Sequence, residues 1–203
     1  MPDPFERLVQ ELGRLPGLGR RSAERMALAL VGRGPSAITP LAEALVAARD
    51  GVTACTRCGA VTPRGADPCR LCTDPARDGA QLLVVEEPGD ILSVERSGAY
   101  RGRYHALRGL LSPQRGTVPA DLTLDALRAR LRTGEVREAI LALPTDVEGD
   151  AMASYLGEMI AKSFPEVRVT RLAFGLPADS GVRYSDPLTL RRAIAGRMGI
   201  GGA

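Results

Sequence analysis

The sequence lacks tryptophan, and all its aromatic residues together make up only 3% of 203 positions. Base stacking on single-stranded nucleic acid therefore cannot be a dominant binding mode. No apolar run approaches the roughly 20 residues that span a bilayer, and the first residues contain no basic segment followed by an apolar stretch. We expect a globular protein of the cytoplasm that does not bind membranes.

Lysine is also nearly absent, since Lys162 is the only one and the other strongly basic side chains are arginines. Arginine pairs bidentately with phosphate better than lysine does. The formal net charge of +3 is small for this length, so it permits nucleic-acid binding without demanding it. A compositional bias of the genome explains most of these arginines equally well.

The four cysteines form two identical Cys-x2-Cys pairs, separated by ten residues. In a reducing compartment such pairs are typical of metal ligands rather than disulfides. Four thiolates leave no coordination position open for water, so the pattern predicts one structural zinc ion bound by Cys55, Cys58, Cys69 and Cys72. An iron–sulfur cluster is the rival interpretation, and the paired spacing favours zinc. Residues 51–78 contain few large apolar side chains, so the metal is expected to fold this segment.

Two helices joined by a glycine-rich turn are predicted near the start of the chain. Apolar residues recur at helical spacing on both sides of Leu15-Pro16-Gly17-Leu18-Gly19-Arg20-Arg21, and the segment resembles a helix-hairpin-helix motif. In such a motif, glycines let backbone N–H groups approach a phosphate at the N-terminus of the second helix. The candidate DNA-binding residues are Gly17, Gly19, Arg20, Arg21 and Arg25. An ordinary helical hairpin and a protein-contact module are the alternatives.

The rest of the chain is predicted to contain a third helix, a parallel α/β sheet and a last helix. The third helix is expected to start at Thr39 and to bury Leu41, Leu45 and Val46. Buried strands are expected at 82–85, 139–143 and 167–174, and helices at 91–94, 121–132, 152–160 and 186–197.

Acidic side chains follow two of these strands. Glu86 and Asp90 come after the first strand, and Glu148 and Asp150 come after the later one. Carboxyl ends of adjacent parallel strands meet at one edge, where ligands bind and where oxygen ligands suit Mg²⁺. Asp90 or Asp150 alone would equally well cap a helix. The only histidine, His105, is expected to pack or cap locally, and the sequence contains neither a Ser-His-Asp arrangement nor a P-loop.

Together these α/β segments resemble a Toprim domain, the fold shared by topoisomerases, primases and certain nucleases. That family has a glutamate after its first strand, which Glu86 matches, and a DxD set after a later strand, which Glu148-Gly149-Asp150 matches only in part. The departure argues against catalysis, and we predict no catalytic residue. A Mg²⁺-dependent Toprim nuclease is the main alternative, so Mg²⁺ binding at these carboxylates stays open.

The order of the parts resembles the bacterial RecR family of recombination mediators over nearly the whole chain. The most specific pieces are Val85-Glu86-Glu87-Pro88, Glu95-Arg96-Ser97-Gly98-Ala99-Tyr100-Arg101-Gly102, Tyr104-His105 and Thr189-Leu190. The expected architecture is α+β in four parts: a helix-hairpin-helix region at 1–50, a four-cysteine zinc finger at 51–78, a Toprim domain with a parallel sheet at 79–174 and a C-terminal oligomerisation segment with a helix at 175–203.

The resemblance implies a non-enzymatic DNA-repair protein that acts in homologous recombination. It implies a homo-oligomer, either a dimer or a tetrameric ring, that encircles DNA and works with RecO, and in some bacteria RecF, to load RecA at gaps. Arg21 and Arg25 would contact DNA inside the ring. RecO docking and DNA access would use the acidic patch of Glu86, Asp90, Glu148 and Asp150. A protein-interaction scaffold is the third interpretation.

Overall fold

A computed structural model of the chain describes residues 3–114, 116–173, 176, 182 and 185–196. In these residues the chain forms eight α-helices and six β-strands. The helices are α1 Pro4–Gly13, α2 Arg20–Arg33, α3 Pro35–Gly51, α4 Arg70–Thr73, α5 Pro88–Ser97, α6 Leu124–Leu131, α7 Val147–Ser163 and α8 Pro187–Ala195. The strands are β1 Val52–Ala54, β2 Val61–Pro63, β3 Asp78–Val85, β4 Gly102–Ala106, β5 Glu138–Ala142 and β6 Arg168–Arg171. Among the described helices, none combines the length and the apolar character needed to cross a membrane.

The chain divides into two compact units, of which the first comprises residues 1–53 and 63–65. In this unit α1 and α2 pack together through a small core of Val9, Ala23 and Ala27. Asp3 caps α1, because its carboxylate accepts a hydrogen bond from the Phe5 N–H at 3.1 Å. The two helices predicted on either side of the glycine-rich turn are thus confirmed.

The third helix differs from its prediction in two ways. It begins at Pro35 rather than at Thr39, because Gly34 at φ +66° ends α2 and a proline fits the first turn of the next helix. The predicted burial is also wrong within this unit. Three side chains expected in the core are exposed instead: Leu41 (42%), Leu45 (64%) and Val46 (49%).

The second unit, residues 54–62 and 66–203, is built on a four-stranded sheet. Its strand order is β4-β3-β5-β6, and every neighbouring pair is parallel. The predicted parallel α/β arrangement is therefore confirmed. The sequence did not predict β4, because Gly-Arg-Tyr-His-Ala has neither an apolar run nor a clear alternation, although Tyr104, His105 and Ala106 are buried.

The central strand β3 is buried on both faces, which explains its continuous apolar run. Leu82 and Val84 belong to a core that includes apolar residues of α6 and α7. Leu83 and Val85 belong to a second core, which includes Ile91 of α5 and all four cysteines. The four cysteines, with Ala60 and with Leu71 of the single turn α4, thus share a core with one face of the sheet.

Two predicted element ends lie outside the described residues. The third strand is predicted to reach Phe174 and the last helix Arg197, whereas β6 ends at Arg171 and α8 ends at Ala195. Most of the predicted C-terminal segment, 175–203, is likewise outside the described residues apart from 176, 182 and 185–196.

Candidate functional site

The glycine-rich turn between α1 and α2 presents backbone N–H donors at the surface. Gly17 has φ +79°, a left-handed conformation that favours glycine, and Gly19 is the N-cap of α2 without a capping side chain. The first N–H groups of α2 therefore have no intrahelical acceptor. A helix N-terminus of this kind attracts phosphate through these N–H groups and through the helix dipole.

Three predicted arginines lie at the start of α2, and all are exposed. Arg20 forms an ion pair with Glu24, with its Nε 3.1 Å from Oε1. Within the part of the chain that the structure describes, Arg21 and Arg25 form no ion pair. These two are one helical turn apart and share a face, so both can reach a phosphate chain at the same time.

The four cysteines come together as one buried cluster. Each is at most 4% exposed, and their sulfur atoms all lie within 4.8 Å of one another. The Sγ–Sγ distance is 4.0 Å between Cys55 and Cys72, and 3.5 Å between Cys58 and Cys69. Four sulfurs about 2.3 Å from a tetrahedral metal ion would be about 3.8 Å apart, so the cluster could hold one metal ion. Among the described residues, this is the only group of three or more Cys, His, Asp or Glu ligands that lie so close.

The surroundings of the sulfurs shift their pKa values in opposite directions. Burial raises the pKa of Cys69 to about 11, and the hydrogen bond with Cys72 raises the pKa of Cys58. The Cys69 N–H donates to Cys55 Sγ at 3.3 Å, and the Ala60 N–H donates to Cys58 Sγ at 3.5 Å. The neighbouring Cys58 thiol, as a hydrogen-bond donor, and the positive charge of Arg130 lower the pKa of Cys72 to about 6.

The cysteine cluster is attached directly to β4. The Ala106 N–H donates to the Cys58 carbonyl at 2.9 Å. Gly59, at φ +81°, lies so close that a Cβ atom there would be 3.1 Å from the Cβ of Ala106. Glycine is therefore needed at this position both for its conformation and for the close approach of the segment to the strand.

The predicted acidic residues follow the carboxyl ends of two adjacent parallel strands, β3 and β5. The Asp90 carboxylate accepts a hydrogen bond from the Glu87 N–H at 2.8 Å, so the capping alternative is confirmed for Asp90. The Ser112 hydroxyl donates to Glu148 Oε1 at 2.5 Å. The N-cap of α7 is Asp146, not Asp150.

Asp150 is held by two arginines from other elements. Its carboxylate lies 2.6 Å from Arg171 Nη1 of β6 and 2.7 Å from Arg192 Nη2 of α8. The hydrogen bond from Arg171 is the main reason that the pKa of Asp150 is lowered. One member of the predicted acidic patch is thus already neutralised by two cations.

Comparison with known proteins relates these features to a family. A family model described as Toprim domain matches residues 80–173, and one described as RecR, helix-hairpin-helix matches residues 5–49. Recombination protein RecR of Moorella thermoacetica is 45% identical over 196 residues, which cover 97% of this chain and 96% of that protein. Recombination protein RecR of Desulforudis audaxviator is 46% identical over 194 residues, 96% of each chain.

The chain belongs to the RecR family. Recombination protein RecR of Saccharopolyspora erythraea is similar to the same extent, with 44% identity over 197 residues, 97% of this chain and 98% of that protein. The resemblance to RecR expected from the motifs is confirmed, and so is the fold: a helix-hairpin-helix region, a four-cysteine cluster, a Toprim domain with a parallel sheet and a C-terminal helix.

Several contacts of the acidic residues of this RecR family member were not predicted from its sequence. Arg171 and Arg192 reach Asp150 from other strands and helices, and Ser112 reaches Glu148 from the loop after β4. No local pattern links these positions, because each pair forms only when the sheet and its helices are assembled.

His105 is a buried packing residue in this RecR family member, as expected. It is 1% exposed, and its Nε2 lies 2.9 Å from Thr123 Oγ1. Burial and the positive charge of Arg130 lower the pKa of His105 to about 4. The imidazole is therefore neutral at neutral pH and has no access to solvent for proton exchange with a substrate.

Proposed function

We propose that this protein is a DNA-binding recombination mediator of DNA repair that acts in the bacterial cytoplasm. In this proposal it closes as a ring-like clamp on DNA and works with RecO, and in some bacteria RecF, to load RecA at gaps. The observation that carries the proposal is the exposed turn between α1 and α2, where Arg21 and Arg25 lie beside unsatisfied helix N–H groups. The name recombination protein, carried by the relatives, supports this biological setting.

The proposed DNA contact is with the phosphate backbone. Gly17 and Gly19 leave room for a phosphate at the N-terminus of α2, and Arg21 and Arg25 bind neighbouring phosphates on the same strand. Arg20 completes the basic surface, although Glu24 already neutralises part of its charge. None of these contacts reads a base edge, so binding is expected to be independent of sequence and sensitive to salt.

A homo-oligomer, a dimer or a tetrameric ring, is proposed because single phosphate contacts of this kind are weak. Encirclement holds several binding turns near one DNA molecule and raises their effective concentration. The first unit offers apolar surface for such assembly: α2 and α3 expose Leu28, Val31, Ile38, Leu41, Leu45 and Val46.

The metal ion at the cysteine cluster is proposed to be Zn²⁺ with a structural role. The four sulfurs, which lie within 4.8 Å of one another, would fill all four positions of a tetrahedral zinc site and leave none for water or substrate. The cluster shares a core with β3 and β4, so the ion would stabilise the sheet as well as its own segment.

The acidic patch of Glu86, Asp90, Glu148 and Asp150 is proposed to dock RecO and to control DNA access rather than to cut DNA. The partners of its carboxylates argue against metal-dependent cleavage, because at least three of the four side chains are already engaged within the chain. Asp90 caps α5, Asp150 is ion-paired with two arginines, and Glu148 accepts a hydrogen bond from Ser112. A Mg²⁺-dependent nuclease would predict metal-dependent cleavage that Glu86→Gln abolishes, and we expect no cleavage from the wild type with Mg²⁺.

The clamp is tested by comparing retention on closed circular DNA with retention on linear DNA of the same sequence. A ring slides off free ends, so at raised salt the protein should stay on circles and leave linear molecules unless their ends are blocked. Arg21→Gln with Arg25→Gln should weaken loading on both forms. Equal retention on open linear and circular DNA would overturn the clamp, and light scattering with and without DNA gives the subunit number.

The proposed partner surface is tested with Glu148→Gln and Asp150→Asn in one variant. We expect weaker binding to RecO and slower loading of RecA on gaps coated with single-strand-binding protein. Glu158→Gln is the matched control, because Glu158 is an exposed acid on the same helix, α7, outside the acidic patch. RecO binding that survives in the double variant would contradict the assigned role of the patch.

A further inference from the structure

Two arginines of the second unit reach the two Cys-x2-Cys turns in the same way. Arg103 Nη1 of β4 donates to the Leu71 carbonyl at 2.8 Å, and Arg130 Nη1 of α6 donates to the Arg57 carbonyl at 3.5 Å. In each case the accepting carbonyl belongs to the residue just before the second cysteine of a pair, Cys72 or Cys58. The two guanidinium groups therefore approach the cluster through equivalent positions of its two halves.

The cations of this pair lack the partners that arginines usually have. Arg130 is 8% exposed, and its second hydrogen bond also goes to a carbonyl, that of Tyr104. Neither Arg103 nor Arg130 has a carboxylate within 4.0 Å among the residues of the described ranges. A buried charge without a counter-charge is costly, so the structure needs an anion near Arg130.

The cysteine cluster, with zinc bound, would carry a buried negative charge that requires nearby cations. Four thiolates around one Zn²⁺ leave two negative charges in excess, and the cysteines lie in an apolar core with Leu83 and Ile91. Hydrogen bonds to carbonyls fix the guanidinium groups beside the two halves of this cluster. Two cations thus match two uncompensated negative charges.

We propose that Arg103 and Arg130 are the counter-cations of the metal centre and that they strengthen its binding of zinc. The inference rests on the proposed zinc site, and it assigns these arginines a positioning and charge-balancing role rather than direct ligation.

A cavity of about 390 Å³ beside these arginines suggests a rival role for them. Its lining includes Arg57, Arg103, Arg130 and Glu135, so an anion such as phosphate is the natural candidate occupant. Glu135 lies 3.8 Å from Arg57 and already offers a negative charge there. The Nη1 atoms of the other two arginines point to carbonyls of the cysteine turns. Charge balance at the metal centre is therefore the stronger interpretation.

The test compares the zinc affinity of full-length Arg103→Gln, Arg130→Gln and the double variant with that of the wild type, by chelator competition. We expect each single variant to bind zinc about ten- to a hundredfold more weakly, and the double variant to be weaker still. Arg130→Lys keeps the charge and should recover part of the affinity. Arg57→Gln is the matched control, because it removes a cation from the same cavity but keeps the backbone carbonyl that accepts from Arg130.

Zinc affinity within twofold of wild type in both Arg103→Gln and Arg130→Gln would overturn the inference. Phosphate binding that these variants lose while they keep wild-type zinc affinity would favour the rival role instead. If Arg130→Gln does not fold, Arg103→Gln and Arg130→Lys decide the outcome. A wild-type protein that binds no zinc at all would overturn the proposed metal centre and this inference with it, so the two failures are distinguishable.

Discussion

At the scale of single residues, His105 shows how burial makes stability depend on pH. Its pKa is about 4 in the folded chain, against an ordinary value of 6.5, because burial disfavours the charged imidazole. Between these values the unfolded chain takes up a proton that the folded chain does not. Stability should therefore fall as the pH drops from 6.5 to 4, by up to about 1.4 kcal/mol per pH unit and on the order of 3 kcal/mol in total.

The measurement is urea unfolding of the zinc-loaded protein at several pH values between 4 and 7, for the wild type and His105→Gln. The variant should be less stable at pH 7, because a buried side chain that contacts Thr123 is changed. The stability of the variant should nevertheless fall less steeply than that of the wild type as the pH drops. Because both proteins keep the same cysteines, proton uptake by thiols is common to them, and parallel curves would contradict the assignment to His105.

The arginines of the glycine-rich turn give a second prediction at this scale. Removing one arginine–phosphate pair should make the plot of log binding constant against log salt less steep, by about 0.9 on duplex DNA. Arg21→Gln and Arg25→Gln should each reduce the slope by about this amount and weaken binding similarly on all sequences. Arg49→Gln is the control, since Arg49 is exposed in the same unit but already paired with Asp50 at 2.7 Å. A slope unchanged in Arg21→Gln and Arg25→Gln would exclude them from the DNA contact.

At the scale of secondary-structure elements, the start of α7 depends on a glycine inside the acidic motif. A Cβ atom on Gly149 would lie 2.1 Å from the Pro144 carbonyl oxygen, whereas a Cβ on Gly157 of the same helix would meet nothing within 4 Å. Gly149→Ala should destabilise the protein by on the order of 3 kcal/mol, because the backbone at Pro144 or at the start of α7 must move to make room for the methyl group. Gly157→Ala should stabilise it by up to about 1 kcal/mol. The comparison of unfolding midpoints checks both, and a neutral Gly149→Ala would contradict the close approach.

The elements also show what could be predicted from the sequence. The strand at 82–85 and the helix around Met152 carry their own apolar periodicity, and both are found where expected. β4 carries no such local signal, because it is buried by its neighbours in the sheet. The face of α3 does carry apolar periodicity, but that pattern does not say whether another surface covers the face, so its exposure was not predicted. The cysteine cluster was predictable from spacing alone, while its arginine neighbours Arg103 and Arg130 become adjacent to it only in the folded sheet.

At the scale of the whole molecule, the surface of α3 connects fold and proposed assembly. Ile38, Leu41 and Leu45 follow one another at helical spacing on a single face, and all are at least 40% exposed. Large apolar side chains grouped in this way are typical of interaction sites rather than of free surface. Since the proposed clamp needs copies of the chain to associate, this face is the part of the first unit best suited to bury against another copy.

Leu41→Glu combined with Leu45→Glu should therefore lower the mass of the assembly in light scattering or sedimentation and reduce retention on circular DNA. Two carboxylates in an apolar interface would have to be desolvated without partners, which opposes association far more than it affects the separated unit, where both positions are exposed. Ala47→Glu is the matched control, because it adds a charge to an exposed position on the opposite side of α3. A double variant that keeps the wild-type mass would show that this face is not an interface. A wild type that is monomeric with and without DNA would remove the basis of the clamp itself.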